Sequence, residues 1–269
     1  MDPYLLNHRG HDYETLMKRW RKIQLHQTEL SIEGGFPVLL FENEAGRNRE
    51  ENGLYLSAGV HGDECAPVWA LLEWTEKNST LLSESDLPLT VFPCLNPHGL
   101  TENRRYDQRD QDLNRLFQDA AHSLIGPWQQ FMEGRKFRLA ANLHEDYDSC
   151  GIYLYQLPSG KFQPGEQILM GCQNIIPREV RSIVDGSPFK NGLATRSGDM
   201  RALVESRLDG GYPEAIWLYL HHLSEGGCAL TFETPSEFSL TDRVKAHSRF
   251  LDGVLAAMAP QHGSTGSGQ

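Results

Sequence analysis

Residues 54–69 read Leu54-Tyr-Leu-Ser-Ala-Gly-Val-His-Gly-Asp-Glu-Cys-Ala-Pro-Val-Trp69. Leu54–Val60 is an apolar run of strand length. Asp63 is a plausible N-cap, Pro67 suits a first helical turn, and Val68–Trp74 continues as a helix. The chain therefore passes from strand to helix through a turn that carries His61 and Glu64. Working outward, residues 12–23 predict an opening helix and Phe36–Phe41 a strand, with polar Glu42–Asn52 as a loop. Leu89–Leu95 is a strand ended by Asn96-Pro97, and residues 119–132 predict a helix broken at Pro127. Phe137–Leu143 is a strand that runs into His144, Gly151–Leu157 another, and Ala229–Phe232 a short one ending at Glu233. Leu240–Met258 closes the pattern as a long helix. Strands alternating with helices imply an α/β fold, a single-domain α/β/α sandwich on a mixed, mostly parallel, twisted sheet. The expected domain spans residues 1–260, with 1–35 as an extension packed on it and Gly/Ser-rich 261–269 as a disordered tail.

The chain has 269 residues, 39% of them apolar and 23% charged, which is the composition of a globular domain. Its net charge of −11 argues against nucleic acid or an anionic membrane as the main partner. A local cluster of arginines could still hold an anionic small molecule. No apolar window is long enough to span a bilayer, and the charged first residues lack the apolar stretch of a secretion signal. The five cysteines, Cys65, Cys94, Cys150, Cys172 and Cys228, form no Cys-x-x-Cys pair and are expected to be reduced thiols. The expected compartment is the cytoplasm.

Three polar residues stand at the predicted C-terminal ends of strands: His61, His144 and Glu233. Ligands of open α/β sheets bind at that edge. A catalytic zinc takes three protein ligands and leaves one position open. His61 and Glu64 supply two from one turn, where Gly62 lets the backbone bend, and His144 is the candidate third. Asp112 could accept the other ring N–H of His61 or simply cap the turn before Leu113. Arg104, Arg105, Arg109 and Arg115 lie in one loop. Their guanidinium forks suit a substrate carboxylate, while Glu102, Asp107, Asp110 and Asp112 compete as local partners.

Four segments carry a resemblance: His61-Gly-Asp-Glu64, Asn96-Pro-His-Gly99 followed by Asn103-Arg-Arg-Tyr106, Asp112-Leu-Asn-Arg115, and Phe232-Glu-Thr-Pro235. In this order, with a strand-end His between the third and fourth, they resemble the zinc carboxypeptidase family. That carboxypeptidase A-like clan also contains succinylglutamate desuccinylase and aspartoacylase. The resemblance implies one zinc per chain on His61, Glu64 and His144, with Asp112 behind His61. It implies Glu233 as general base, Arg105 at the scissile carbonyl, and Asn114 and Arg115 on the substrate's terminal carboxylate. A tyrosine on a mobile loop often assists in this family, and Tyr212 is the nearest positional match.

The implied reaction is hydrolysis of an amide beside a free-carboxylate residue, on a small peptide or an N-acyl amino acid. An N-acyl amino acid deacylase and an inactive binding paralogue are the alternatives. Only 36 residues follow Glu233, most of them one helix, which favours the peptidase arrangement. Glu145 and Asp146 add acids beside His144. Asp199 or Asp209 could line a pocket for a basic side chain or act as a loop residue. Oligomeric state is not legible.

Overall fold

Alternation along the strands decides which residue faces which layer. In the computed structural model, which describes residues 10–49 and 51–259, Leu54 and Leu56 enter one core while Tyr55 enters the other. Leu139, Ala141 and Leu143 likewise face the first core, and Ala140 the second. A sheet apolar on both faces must be covered on both. The helices do this, and the result is the expected α/β/α sandwich.

In chain order the elements are α1 (Tyr13–Trp20), β1 (His26–Glu33), β2 (Phe36–Glu42), α2 (Glu44–Arg47), β3 (Gly53–Ser57), α3 (Cys65–Lys77) and α4 (Ser79–Ser83). Then come β4 (Leu89–Phe92), α5 (Pro97–Glu102), a 3-10 turn at Leu113–Arg115, α6 (Ile125–Met132), β5 (Phe137–Asp146), β6 (Tyr153–Pro158) and α7 (Gly165–Cys172). The chain continues through β7 (Ile183–Val184), β8 (Ser187–Pro188), β9 (Leu193–Thr195), α8 (Met200–Arg207), α9 (Glu214–His221), β10 (Leu223–Pro235) and α10 (Leu240–Met258). The main sheet has the order β1-β2-β4-β3-β5-β10-β6-β9. Its centre, β4-β3-β5-β10, is parallel, and β2 and β6 run antiparallel to it on either side.

Helices α1, α3, α7 and α10 cover one face, where Phe232 stacks on Phe250 with ring centroids 4.5 Å apart. Helices α6, α8 and α9 cover the other, around Trp128, Tyr55 and Tyr153. Because Phe232 is buried in the first core, its neighbour Glu233 must point to the second face. Burying such a ring is worth roughly 1.5–3 kcal/mol, so this orientation is firmly held.

Several sequence expectations change. His26–Glu33 carries no apolar run, yet it forms an edge strand, with His26, Gln27, Thr28 and Glu29 exposed as edges require. Residues 10–35 are thus part of the sheet and of the first core rather than an extension. Pro127 lies in the first turn of α6 and breaks nothing. Strands β5 and β10 continue through His144 and Glu233 instead of ending before them, because their parallel pairing runs on to Pro235↔Asp146. Residues 261–269, expected as a tail, lie outside the described residues. No helix among the described residues is long and apolar enough to cross a membrane.

Candidate metal centre and its cavity

His61 stands in the turn between β3 and α3. Gly62 is needed there for proximity rather than for bending: a Cβ on it would lie 1.9 Å from the carbonyl carbon of Gly99. Two of the quoted segments therefore pack backbone to backbone. Asn96 caps α5 by accepting from Gly99 N at 2.8 Å, and its Nδ2 donates to the Arg105 carbonyl at 3.3 Å, which fixes the start of the arginine loop.

Glu64, not Asp63, occupies the N-cap position of α3, and its side chain makes no capping bond. Its carboxylate lies between the two histidines instead. Oε1 is 2.5 Å from His61 Nδ1, and Oε2 is 3.0 Å from His144 Nδ1. Oε2 also accepts from Glu145 N at 3.1 Å. One ligand atom from each of His61, Glu64 and His144 lies within 4.8 Å of the others, and all three residues are buried. Two imidazoles and a carboxylate are the donor set of a catalytic zinc, so the residues present fit a metal. The orphaned helix start is served by Glu145, whose carboxylate accepts from Ala66 N at 3.0 Å and pairs with Arg243. Glu145 therefore belongs to the scaffold and does not stand solvated beside the site.

Asp112 fills both roles considered for it. Oδ1 caps the 3-10 turn by accepting from Asn114 N at 2.9 Å and faces His61 Nε2 at 3.2 Å. Oδ2 accepts from Arg105 Nε at 3.2 Å and Nη2 at 3.0 Å. Arg105 Nη1 reaches 3.3 Å from His61 Nδ1. The loop between is stapled from below by buried Asp107, which accepts from Arg109 N and Gln111 N, each at 2.8 Å, and faces His122 Nε2 at 3.0 Å. Arg104 pairs with Asp110. Arg115 has no acidic partner at ion-pair distance among the described residues and donates to the Asn114 carbonyl at 2.8 Å.

Burial alone would lower the proton affinity of His61, but Glu64 and Asp112 outweigh it and raise its pKa to about 8. His144 is raised likewise, against desolvation, chiefly by Glu64 and then Glu233. Glu64 and Asp112 are held below the usual carboxylate range: desolvation opposes this, and the neighbouring histidines prevail. Glu233 behaves oppositely. Desolvation pushes it well above an ordinary glutamate, nearby Glu64, Asp146 and Asp185 add to the rise, and His144 opposes it.

All of this opens into one cavity of about 470 Å³. His61, Glu64, Arg105, Asn114, Arg115, His144 and Glu233 line it together. Glu233 is the register partner of His144 across the β5–β10 pair and of Tyr153 across the β10–β6 pair. Asn114 Oδ1 accepts from Glu214 N at 2.9 Å, which anchors it to the start of α9. Tyr212 is not among the lining residues. Its ring packs edge-on against Trp217 at 5.7 Å, and its carbonyl accepts from Phe117 N. Asp199 caps α8 and Asp209 occupies a turn, so neither lines the cavity.

The sequence reading missed the opposite wall, made by Tyr153, Tyr155, Asp185, Ser187, Arg196 and Arg207. A signal was available. Asp185-Gly186 and Asn191-Gly192 are the residue pairs that favour two-residue hairpin turns, and all four adopt positive φ.

Comparison with known proteins bears out the resemblance. Residues 50–154 match the family model of the succinylglutamate desuccinylase/aspartoacylase catalytic domain. Among solved structures, a candidate metallopeptidase of Shewanella denitrificans superposes with a TM-score of 0.78 at 19% identity, covering 93% of this chain and 92% of that one. A second, from Shewanella baltica, gives 0.75 at 22% identity over 93% and 94%. A metallo-carboxypeptidase of Burkholderia cenocepacia gives 0.63 at 13% identity over 91% and 68%. At these identities the structural likeness is one of fold.

Proposed function

We propose that this chain is a zinc-dependent amide hydrolase of the carboxypeptidase type, acting beside a residue with a free carboxylate. The observation that carries the reading is the His61–Glu64–His144 donor cluster facing Glu233 and two arginines across one cavity. His61 would bind through Nδ1, with Nε2 held by Asp112 as zinc-bound histidines usually are. A zinc ion there would polarise the substrate carbonyl and make water acidic near neutral pH. Glu233 takes the proton of the attacking water and passes it to the leaving amine, and its raised proton affinity suits holding that proton between the two events. Arg105, oriented by Asp112, stabilises the developing oxyanion. Asn114 and Arg115 fix the substrate by its terminal carboxylate.

Fold neighbours that include a metallo-carboxypeptidase favour a peptidase. The desuccinylase/aspartoacylase match favours an N-acyl amino acid deacylase built on the same residues. The five free cysteines, four of them buried, suit a reducing compartment such as the cytoplasm. The test is Glu233→Gln assayed with metal analysis against C-terminal peptides and N-acyl amino acids. One zinc per chain should remain while kcat falls on the order of 10²–10⁴-fold. Near-normal turnover in the zinc-replete variant would refute the assignment of the base. Absence of hydrolysis by the zinc-replete wild type would point to a binding paralogue.

A further inference from the structure

A buried carboxylate lies behind the cavity and has no part in the reaction proposed above. Glu214 opens α9, is 1% exposed and is not among the cavity-lining residues, so it touches no substrate. Its Oε1 accepts from Tyr55 Oη at 2.5 Å and its Oε2 from Ser57 Oγ at 3.0 Å. Both donors are supported in turn: Trp128 Nε1 donates to Tyr55 Oη at 3.1 Å, and Asn142 Nδ2 to Ser57 Oγ at 2.9 Å. All four are buried, so the cluster ties α6, β3 and β5 to α9. Desolvation raises the pKa of Glu214, against the hydrogen bonds from Tyr55 and Ser57 and the charge of His144. An apolar side chain would fill this space at lower cost. What the carboxylate adds is direction. Tyr55 and Ser57 stand two residues apart on one face of β3, and two carboxylate oxygens meet both in a single arrangement.

That arrangement fixes the backbone of the same residue. Glu214 N–H donates to Asn114 Oδ1 at 2.9 Å. The bond occupies the acceptor end of the Asn114 amide and leaves the donor end, Nδ2, for a substrate oxygen. Turned over, the amide would present its own carbonyl oxygen to a carboxylate and repel it. The loop leading into α9 runs against the same residues: a Cβ on Gly211 would lie 3.1 Å from Arg115 Cβ, and Phe117 N donates to the Tyr212 carbonyl at 3.2 Å. Pro213, Ala215 and Ile216 line the cavity together with Asn114 and Arg115. The start of α9 is thus one wall of the space that this pair faces, and Glu214 is its peg in the sheet.

We infer that Glu214 is a positioning residue: its carboxylate pins the first turn of α9 to β3, so that its backbone N–H holds the Asn114 amide with Nδ2 turned to the substrate's terminal carboxylate. That Asn114 meets a carboxylate rests on the function proposed above; the pinning does not. The test compares zinc-loaded wild type, Glu214→Ala, Asn114→Ala and the double variant on N-acylated dipeptides and on their C-terminal amides. Glu214→Ala should raise KM for the acid about tenfold, with kcat, zinc content and KM for the amide little changed. Because Glu214 acts through Asn114, the double variant should be no worse on the acid than Asn114→Ala alone. Additive effects, a fall in kcat at unchanged KM, or lost zinc overturns the inference. If Glu214→Ala does not fold, Glu214→Gln decides: it keeps the shape but sets an amide N–H against a donor, and KM for the acid should rise, less steeply; an unchanged KM counts against the inference. Wild type that cleaves acid and amide alike would break the functional reading and this inference together, whereas discrimination that survives in Glu214→Ala breaks the inference alone. If wild type cleaves no amide, the functional reading fails and calorimetry with N-acetylglycine and its amide judges the positioning. The acid should then bind better than the amide in wild type and lose that advantage in both Glu214→Ala and Asn114→Ala; an advantage kept in Glu214→Ala, or absent from wild type, overturns the inference.

Discussion

The two walls of the cavity are built by opposite means. On the metal side, charges answer one another: Glu64 meets His61 and His144, Asp112 meets His61 and Arg105, and Glu145 meets Arg243. These residues sit on or beside the central parallel strands, and all but Arg243 fall inside residues 50–154, the segment matched by the family model. On the other side, Ser187 and Arg196 come from strands two or three residues long and the turn after them, shaped by Asp185-Gly186 and Asn191-Gly192, and among the described residues no carboxylate lies at ion-pair distance from Arg196, which donates to Ser187 Oγ. Chemistry needs donors held on rigid elements, whereas recognition can be carried by loops on that scaffold. The matched segment stops at residue 154, just as the second wall begins.

This contrast can be broken in several ways. The largest effect is expected for Arg105→Ala on the metal side. An oxyanion contact is worth roughly 2.7–4 kcal/mol, so kcat should fall on the order of 10²–10³-fold with KM little changed. A pure KM effect in steady-state kinetics would move Arg105 to the recognition side. Next comes pH. A metal needs neutral imidazole, so binding expels the proton that His61 holds with a pKa of about 8. His144 is raised too and must also be neutral, so zinc affinity in chelator competition should rise by about tenfold or more per pH unit as pH climbs from 6.5 towards 8. The metal-free protein should show the reverse trend. Because the folded pKa of His61 is raised, its stabilisation is full below 6.5 and lost as pH rises through 8. Thermal melts with and without zinc should therefore diverge with pH, and parallel curves would contradict the His61–Glu64 pairing.

Arg115→Ala should raise KM about tenfold, one to two kcal/mol, for free-carboxylate substrates and do little to amidated ones. If wild type cleaves the amide as well as the acid, the loop does not read the carboxylate. The smallest effect belongs to the second wall. Gly192 has φ +73°, and a Cβ there would lie 2.9 Å from the Ile152 carbonyl oxygen. Gly192→Ala should cost about 1 kcal/mol, a few degrees in Tm, and shift substrate preference while leaving zinc content unchanged. Lost zinc would show that the walls are mechanically one.

The same contrast explains what could be read from the sequence. His61 and Glu64 were legible because both lie in one turn, and His144 and Glu233 because apolar strands lead into them. The end of a strand was not legible, since β5 and β10 extend as far as their partners allow, a tertiary fact. The edge strand His26–Glu33 lacks the apolar alternation that marks strands covered on one or both faces. Tyr212 was assigned by position along the chain; its ring packs on Trp217 and does not line the cavity in this structure. Arg196 offered no local pattern, because what places it in the cavity wall is its contact with the Tyr155 ring and Ser187, a tertiary fact.

The pairing of Glu233 with His144 has a consequence for how the chain acquires its activity. Side chains alternate along a strand, so a slip of one residue in β10 would bury Glu233 where Phe232 belongs and turn Phe232 into the cavity. Strands β5 and β10 are separated by some eighty residues and can pair only after a long loop has closed, which makes their alignment a slow and error-prone event. Helix content would recover in such a misaligned molecule while turnover did not. During refolding, the difference between the ellipticity and activity time courses would therefore measure how often these two strands first meet out of step.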